Sequence, residues 1–160
     1  MRRHPIIIVS AVLSVALVGS AILVAPFASA SDEHQARKVW KARQFVGYWM
    51  GIDPLDGGDS RRGITKNRDG TFSIIGRDTV FSLCDDTDRG VVTVSDGIIV
   101  GSALVGDLVI TCLNDGSTVN LNARYDVLDS NIIRETVTSQ GGELVDEIIF
   151  HRVSDRPRRQ

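Results

Sequence analysis

Residues 118–138 read TVNLNARYDVLDSNIIRETVT, and the alternation in this stretch decides the fold. Asn120, Asn122, Arg124 and Asp126 fall on one face of the first run, and Ala123 and Tyr125 on the other. A polar/apolar period of two is the mark of a half-buried strand. Asp129-Ser130-Asn131 follows, a cluster that favours a tight turn. The chain then resumes alternation over 132–138, where Arg134 opposes Ile133. Two such runs joined by so short a turn pair as antiparallel neighbours.

The same texture extends in both directions. Runs rich in Val, Ile and Thr occupy 46–53, 61–67, 71–78, 90–94, 98–104, 107–113, 118–127 and 132–138, with a closing run at 143–153. The separators are again turn chemistry: Asn67-Arg68-Asp69-Gly70, Ser95-Asp96-Gly97, Asn114-Asp115-Gly116 and Gln140-Gly141-Gly142. Eight or nine strands result, depending on how the region around Gly97 and Gly106 divides. No crossover helix is available, which excludes a parallel sheet. The predicted fold is therefore all-β, an antiparallel up-and-down barrel of about eight strands that buries its apolar face by closing on itself. A two-sheet sandwich is the alternative.

Ahead of the strands, 31–45 reads as a short helix: Val39, Trp40 and Phe45 are apolar, and Asp32-Glu33 place negative charge at its N-terminal end. Ahead of that, Arg2-Arg3-His4 precede an uncharged run from Ile6 to Val24, then Pro26 and Ala28-Ser29-Ala30. This is the layout of a signal peptide over residues 1–30. The apolar run is also about the length that spans a bilayer, roughly 20 residues, so a retained anchor is the rival reading and the one route to a membrane. Cleavage predicts a secreted, periplasmic or otherwise extracytoplasmic protein of one domain, 46–153, with a basic tail at 154–160.

Of 18 basic residues, Arg2 and Arg3 leave with the signal, so 16 face 20 acidic ones, formally −4. That balance argues against a nucleic-acid partner. The one basic cluster, Arg152, Arg156, Arg158 and Arg159, reads as a solvated tail or a weak contact with an anionic surface. The two cysteines, Cys84 and Cys112, form an even pair in an exported chain and are expected to make one disulfide. Without nearby His they do not complete a metal shell, and neither a metal nor a cofactor is expected.

Gly47-Tyr48-Trp49 opens the first strand just after the short helix. This G-x-W placement resembles the entry signature of the lipocalins and their calycin relatives. The resemblance implies that Trp49 plugs one end of the barrel, that Gly47 lets the chain pass closely there, and that a late Arg packs across the indole. In 143–153, Leu144, Ile148, Phe150 and Arg152 share one face, whereas Arg124 and Arg134 read as outward, so Arg152 is the candidate. Avidins share the motif but line their biotin pocket with several Trp; this chain has Trp40 and Trp49, so no biotin site is expected. Small secreted bacterial inhibitors of metalloproteases are similar too, and for them residues 31–44 would be the inhibitory trunk.

Candidate chemistry gathers in Asp53-Pro54-Leu55-Asp56-Gly57-Gly58-Asp59-Ser60. In a calycin this first loop guards the open end, so Asp53, Asp56 and Asp59 are the expected ligand-contacting residues. Three carboxylates could also collect around Ca²⁺, although the spacing is not that of an EF-hand. Asp85, Asp86 and Asp88 beside Cys84 read as a solvated turn. His34 lies in the predicted helix and His151 on an outward face. No G-x-S-x-G elbow is present and no cysteine is left over for catalysis, so no catalytic residue and no enzyme are expected. The reading is a binding protein taking a small apolar ligand at the barrel mouth, or a protein–protein module acting through its N-terminal segment.

Overall fold

In the computed structural model, which describes residues 42–84 and 90–157, the alternating runs form eight strands: β1 (Gly47–Ile52), β2 (Asp59–Lys66), β3 (Phe72–Asp78), β4 (Val91–Val100), β5 (Ala103–Cys112), β6 (Thr118–Asp129), β7 (Ile132–Thr138) and β8 (Leu144–Ser154). Each pairs antiparallel with the next, and β8 returns to pair with β1, so the sheet is a closed up-and-down barrel. Closure leaves no free edge and settles the choice between barrel and sandwich. A short helical turn at 42–45 leads into β1. The predicted signal peptide, residues 31–41, the acidic run at 85–89 and Arg158 and Arg159 lie outside the described residues.

Among the described residues there is no ninth strand. Ser95-Asp96-Gly97 is not a turn: β4 runs straight through it, and the chain reverses at Gly101-Ser102 instead. The run expected at 98–104 is thus two halves of one hairpin. Packing explains why an Asp-Gly pair sits inside a strand. Asp96 points outward and accepts a hydrogen bond from the Ser73 hydroxyl at 3.2 Å. Gly97 points inward, where a Cβ would come within 2.8 Å of Leu104 Cδ1. The glycine makes room for a core leucine rather than bending the chain.

An up-and-down meander places its connections alternately at the two ends. One end carries the N-terminal helical turn, the end of β8 and the short turns after β2, β4 and β6. Trp49 is fully buried at this end, and its indole N–H donates to the Phe45 carbonyl at 2.8 Å. The Arg152 guanidinium lies 4.1 Å from the centre of the Trp49 ring. It donates to the carbonyls of Val46, Gln44 and Ser130. One side chain thus ties β8 to the entering chain and to the β6–β7 turn. Phe45 meets Phe72 edge-on at 6.4 Å between ring centres and widens the plug. Gly47 has φ 146, and a Cβ on it would fall 2.6 Å from the Ser154 carbonyl oxygen, so no larger residue fits there.

The opposite end carries the connections 53–58, 79–90, 113–117 and 139–143. Cys84 and Cys112 form a disulfide here, with Cα atoms 5.6 Å apart. It pins the β3–β4 connection to the end of β5 and indicates an oxidising, extracytoplasmic location. Leu144 departs from expectation: the β7–β8 register shifts between Val137 and Thr138, and Leu144 turns outward at the loop end while Asp146 takes an inward place.

Closing a loop with 28 residues of separation contributes about 3.6 kcal/mol in the chain-entropy model. Denaturant unfolding of a Cys84→Ala/Cys112→Ala variant is expected to show a loss of about that size; an unchanged midpoint would show that the crosslink adds nothing to this barrel.

Candidate functional site

Inward positions alternate along the strands, and the buried polar ones gather towards one end of the barrel. Towards the Trp49 end the interior is apolar: Phe45, Ile64, Phe72, Ile74, Leu104, Ile133 and Phe150 are all essentially inaccessible. Towards the loop end it is mixed: Asp53, Ser60, Arg62, Asp78, Thr93, Ser95, Glu135 and Asp146 are buried among Val91, Leu108, Ile110, Leu121 and Val137.

Arg62, 2% exposed, spans the boundary. Its Nη1 donates to Asp78 Oδ1 at 2.5 Å and to the Arg61 carbonyl at 2.9 Å. Its Nη2 donates to Asp78 Oδ2 at 3.2 Å and to Glu135 Oε2 at 2.8 Å. Nε donates to Glu135 Oε1 at 3.1 Å. All five guanidinium donors are therefore used. The guanidinium also lies 5.1 Å from the centre of the Phe150 ring. Gly76, its cross-strand partner, is the space it occupies: a Cβ there would sit 2.7 Å from Nη1. Tyr125 donates its hydroxyl to Glu135 Oε1 at 2.6 Å. Burial alone would lower the Arg62 guanidinium, but Asp78 and Glu135 more than offset this and hold it above its ordinary value. Burial, then the charge of Glu135, push the Tyr125 phenol well above its own.

The buried hydroxyls of Ser60, Thr93 and Ser95 have no protein hydrogen-bond partner. Asp146 accepts from the Glu147 backbone N–H at 2.6 Å, yet burial first, and then the charge of Asp53, push its carboxyl up to about 6. The buried set holds one cation against four carboxyl groups.

The three aspartates expected at the mouth do not converge. Asp53 is buried and accepts from the Leu55 N–H at 2.7 Å, closing a turn within 53–58. Asp56 is exposed and accepts from the Gly58 N–H at 2.8 Å. Asp59 pairs at the surface with Arg61 at 3.7 Å. Their carboxylates serve the loop's own geometry, and among the described residues no group of three or more His, Cys, Asp or Glu is placed to hold a metal ion. His151 is exposed on the outer wall. Arg124 is exposed too and pairs with Asp126 at 2.7 Å.

Two surface features complete the description. The outer wall carries an open polar groove of about 950 Å³, lined by Ser73, Asp96, Asp107, Asn122 and Arg124 among others. At the loop end, large aliphatic side chains face solvent on three of the connections, Leu55, Val80 with Leu83, and Leu113, and at the adjoining strand ends, Ile52 and Leu144. Leu55 is 71% exposed and Leu144 66%.

Sequence reasoning missed the Arg62 network. The signal was present: Glu135 falls in the inward register of Ile133 and Val137, and Asp146 in that of Ile148 and Phe150. A charge in an apolar register is the sign of a buried ion pair.

Removing Arg62 strands two buried carboxylates, and Arg62→Met is expected to cost about 3–5 kcal/mol in denaturant unfolding. Adding Asp78→Leu and Glu135→Leu removes the stranded charges and is expected to recover most of that loss. A cost below about 1 kcal/mol for the single variant would show that the network is not a buried pair of this kind. No known protein family matches this chain, and no characterised protein or solved structure is found similar to it.

Proposed function

We propose that this chain is an exported, non-enzymatic binding barrel of calycin type that works through its loop end. The observation that carries the reading is the group of exposed aliphatics at the end opposite Trp49: Leu55, Val80, Leu83 and Leu113 on the connections, Ile52 and Leu144 at the strand ends. Soluble surfaces carry scattered apolar side chains, but several gathered at one end of a barrel mark a contact surface. Export is supported by residues 1–30 as a signal peptide and by the disulfide. The calycin assignment is supported by Gly47-x-Trp49 with Arg152 over the indole.

What the rim holds follows from what lies beneath it. The interior is filled by its own side chains, and in the half nearest the mouth four buried carboxyls and three hydroxyls stand among the apolar ones. An apolar molecule entering there would displace packed side chains and meet carboxyl groups. The rim therefore suits an apolar patch on a partner protein better than a small apolar ligand sunk in the barrel, though both would meet the same residues. Residues 42–45 enter at the Trp49 end, so a partner seated on the rim does not require the N-terminal segment.

Chemical-shift mapping on labelled protein tests this. Titration with a leucine-rich amphipathic peptide is expected to move Leu55, Leu83 and Leu144, and Leu55→Asp/Leu83→Asp is expected to weaken binding at least tenfold. Laurate binding at the same residues without peptide binding would favour the small ligand. Shifts confined to the outer groove, or none, would overturn the rim as the contact surface.

A further inference from the structure

One buried pair of groups is left over by the core and lies directly beneath the rim. Asp53 is 5% exposed and Asp146 6%. The β1–β8 register, Gly51 opposite Phe150, carries Asp53 two residues onward to the level of Ile148, next to the inward place of Asp146. Asp53 is also the root of the 53–58 loop: its N–H donates to the Gly58 carbonyl, its carbonyl accepts from the Gly57 N–H, both at 2.9 Å, and its carboxyl accepts from Leu55.

We propose that Asp53 and Asp146 form a proton-dependent latch that holds the 53–58 loop, and with it Leu55, against the barrel mouth. A protonated Asp146 donates to the Asp53 carboxylate across the β1–β8 seam. Loss of that proton leaves two carboxylates facing each other out of water, and the loop relaxes. The use of the latch for binding rests on the rim reading; the latch itself does not.

The surroundings supply no counter-charge. From β2, Arg62 is the buried cation, and its five donors are committed to Asp78, Glu135 and the Arg61 carbonyl. From β7, Glu135 adds negative charge against Asp146. Asp78 on β3 and Tyr125 on β6 belong to the Arg62 network. Glu147 on β8 and Glu143 in the following-hairpin loop are exposed acids, as is Asp56, and Asp59 is held by Arg61. Among the described residues, no Lys, Arg or His forms an ion pair with Asp53 or Asp146.

The sign follows. In the latched state the Asp146 carboxyl is raised from its ordinary 3.8 to about 6. Opening exposes it to water and returns it towards the ordinary value. The latch is therefore complete below about 3.8, weakens as pH rises to about 6, and is level above that. Each unit of difference is tenfold, so opening rises by up to about a hundredfold across the window.

Hydrogen exchange on the intact protein reads this directly. After correction for intrinsic exchange rates, protection of the Asp53, Leu55 and Gly57 amides is expected to fall ten- to a hundredfold from pH 4 to pH 7, while amides of β4 and β5 hold. Asp146→Asn keeps an acceptor for Glu147 and a donor for Asp53; it is expected to keep the loop protected at pH 7 and abolish the pH dependence. Carboxyl ¹³C titration of Asp146 in the unaltered protein provides a second reading, expected near 6. Equal loop protection at both pH values, a pH dependence that survives Asp146→Asn, or an Asp146 midpoint near 4 would each overturn the latch. None of these needs a partner, whereas failure of the rim shows only in the peptide titration, so the two fail separately.

Discussion

The barrel depends on one guanidinium. Arg62 enters from β2 and reaches Asp78 on β3 and Glu135 on β7, nearly the full width of the interior. Tyr125 extends the network to β6, and the Phe150 ring brings in β8. Five of the eight strands meet at this side chain. Its energy is not simply favourable: desolvating the ions costs about as much as their attraction returns. What the pair supplies is specificity. An aliphatic core tolerates small slips of one strand against the next, but five donors fixed on two carboxylates and a carbonyl do not, and a one-residue slip would turn Arg62 out to solvent.

That constraint sets the asymmetry of the molecule. Below Arg62 the inward positions are apolar and the end is sealed by Trp49, Phe45 and Phe72 under short turns. Above it buried carboxyls and hydroxyls stand among apolar side chains. The two halves solve different problems. The sealed half buries the aromatic area that stabilises the fold. The other half holds its charges and hydroxyls among Val91, Ile110, Leu121 and Val137, with exposed aliphatics on the connections above them.

How far all this could be read from the chain varies with the physics involved. Alternation is local, so strands, hairpins and closure were legible from runs such as 118–127 and 132–138, and the disulfide from the even pair of cysteines. Turn chemistry was legible where a turn residue faces solvent, and misleading at Gly97, whose role is set by Leu104 across the β4–β5 hairpin. The Arg62 network was hidden for the same reason. Its members lie 16 and 73 residues from Arg62, and no local pattern joins them. Asp53, Asp56 and Asp59 read as one site because they are close in sequence, yet β geometry turns Asp53 inward and sends its neighbours to the surface.

Core and loop are finally coupled by charge balance. Because Asp78 and Glu135 saturate Arg62, no guanidinium donor remains for the carboxyls nearer the mouth. Asp146 keeps a place in the inward register of Ile148 and Phe150, and the β1–β2 loop must start at the one point where its first residue meets it. A second arginine in the interior would neutralise the pair and fix the loop. A leucine at either position would make it indifferent to pH. With one network already satisfied, the loop that carries Leu55 is held fully only when a proton is shared beneath it. The arrangement that locks the strands in register therefore leaves the proposed latch at the loop end without a counter-charge.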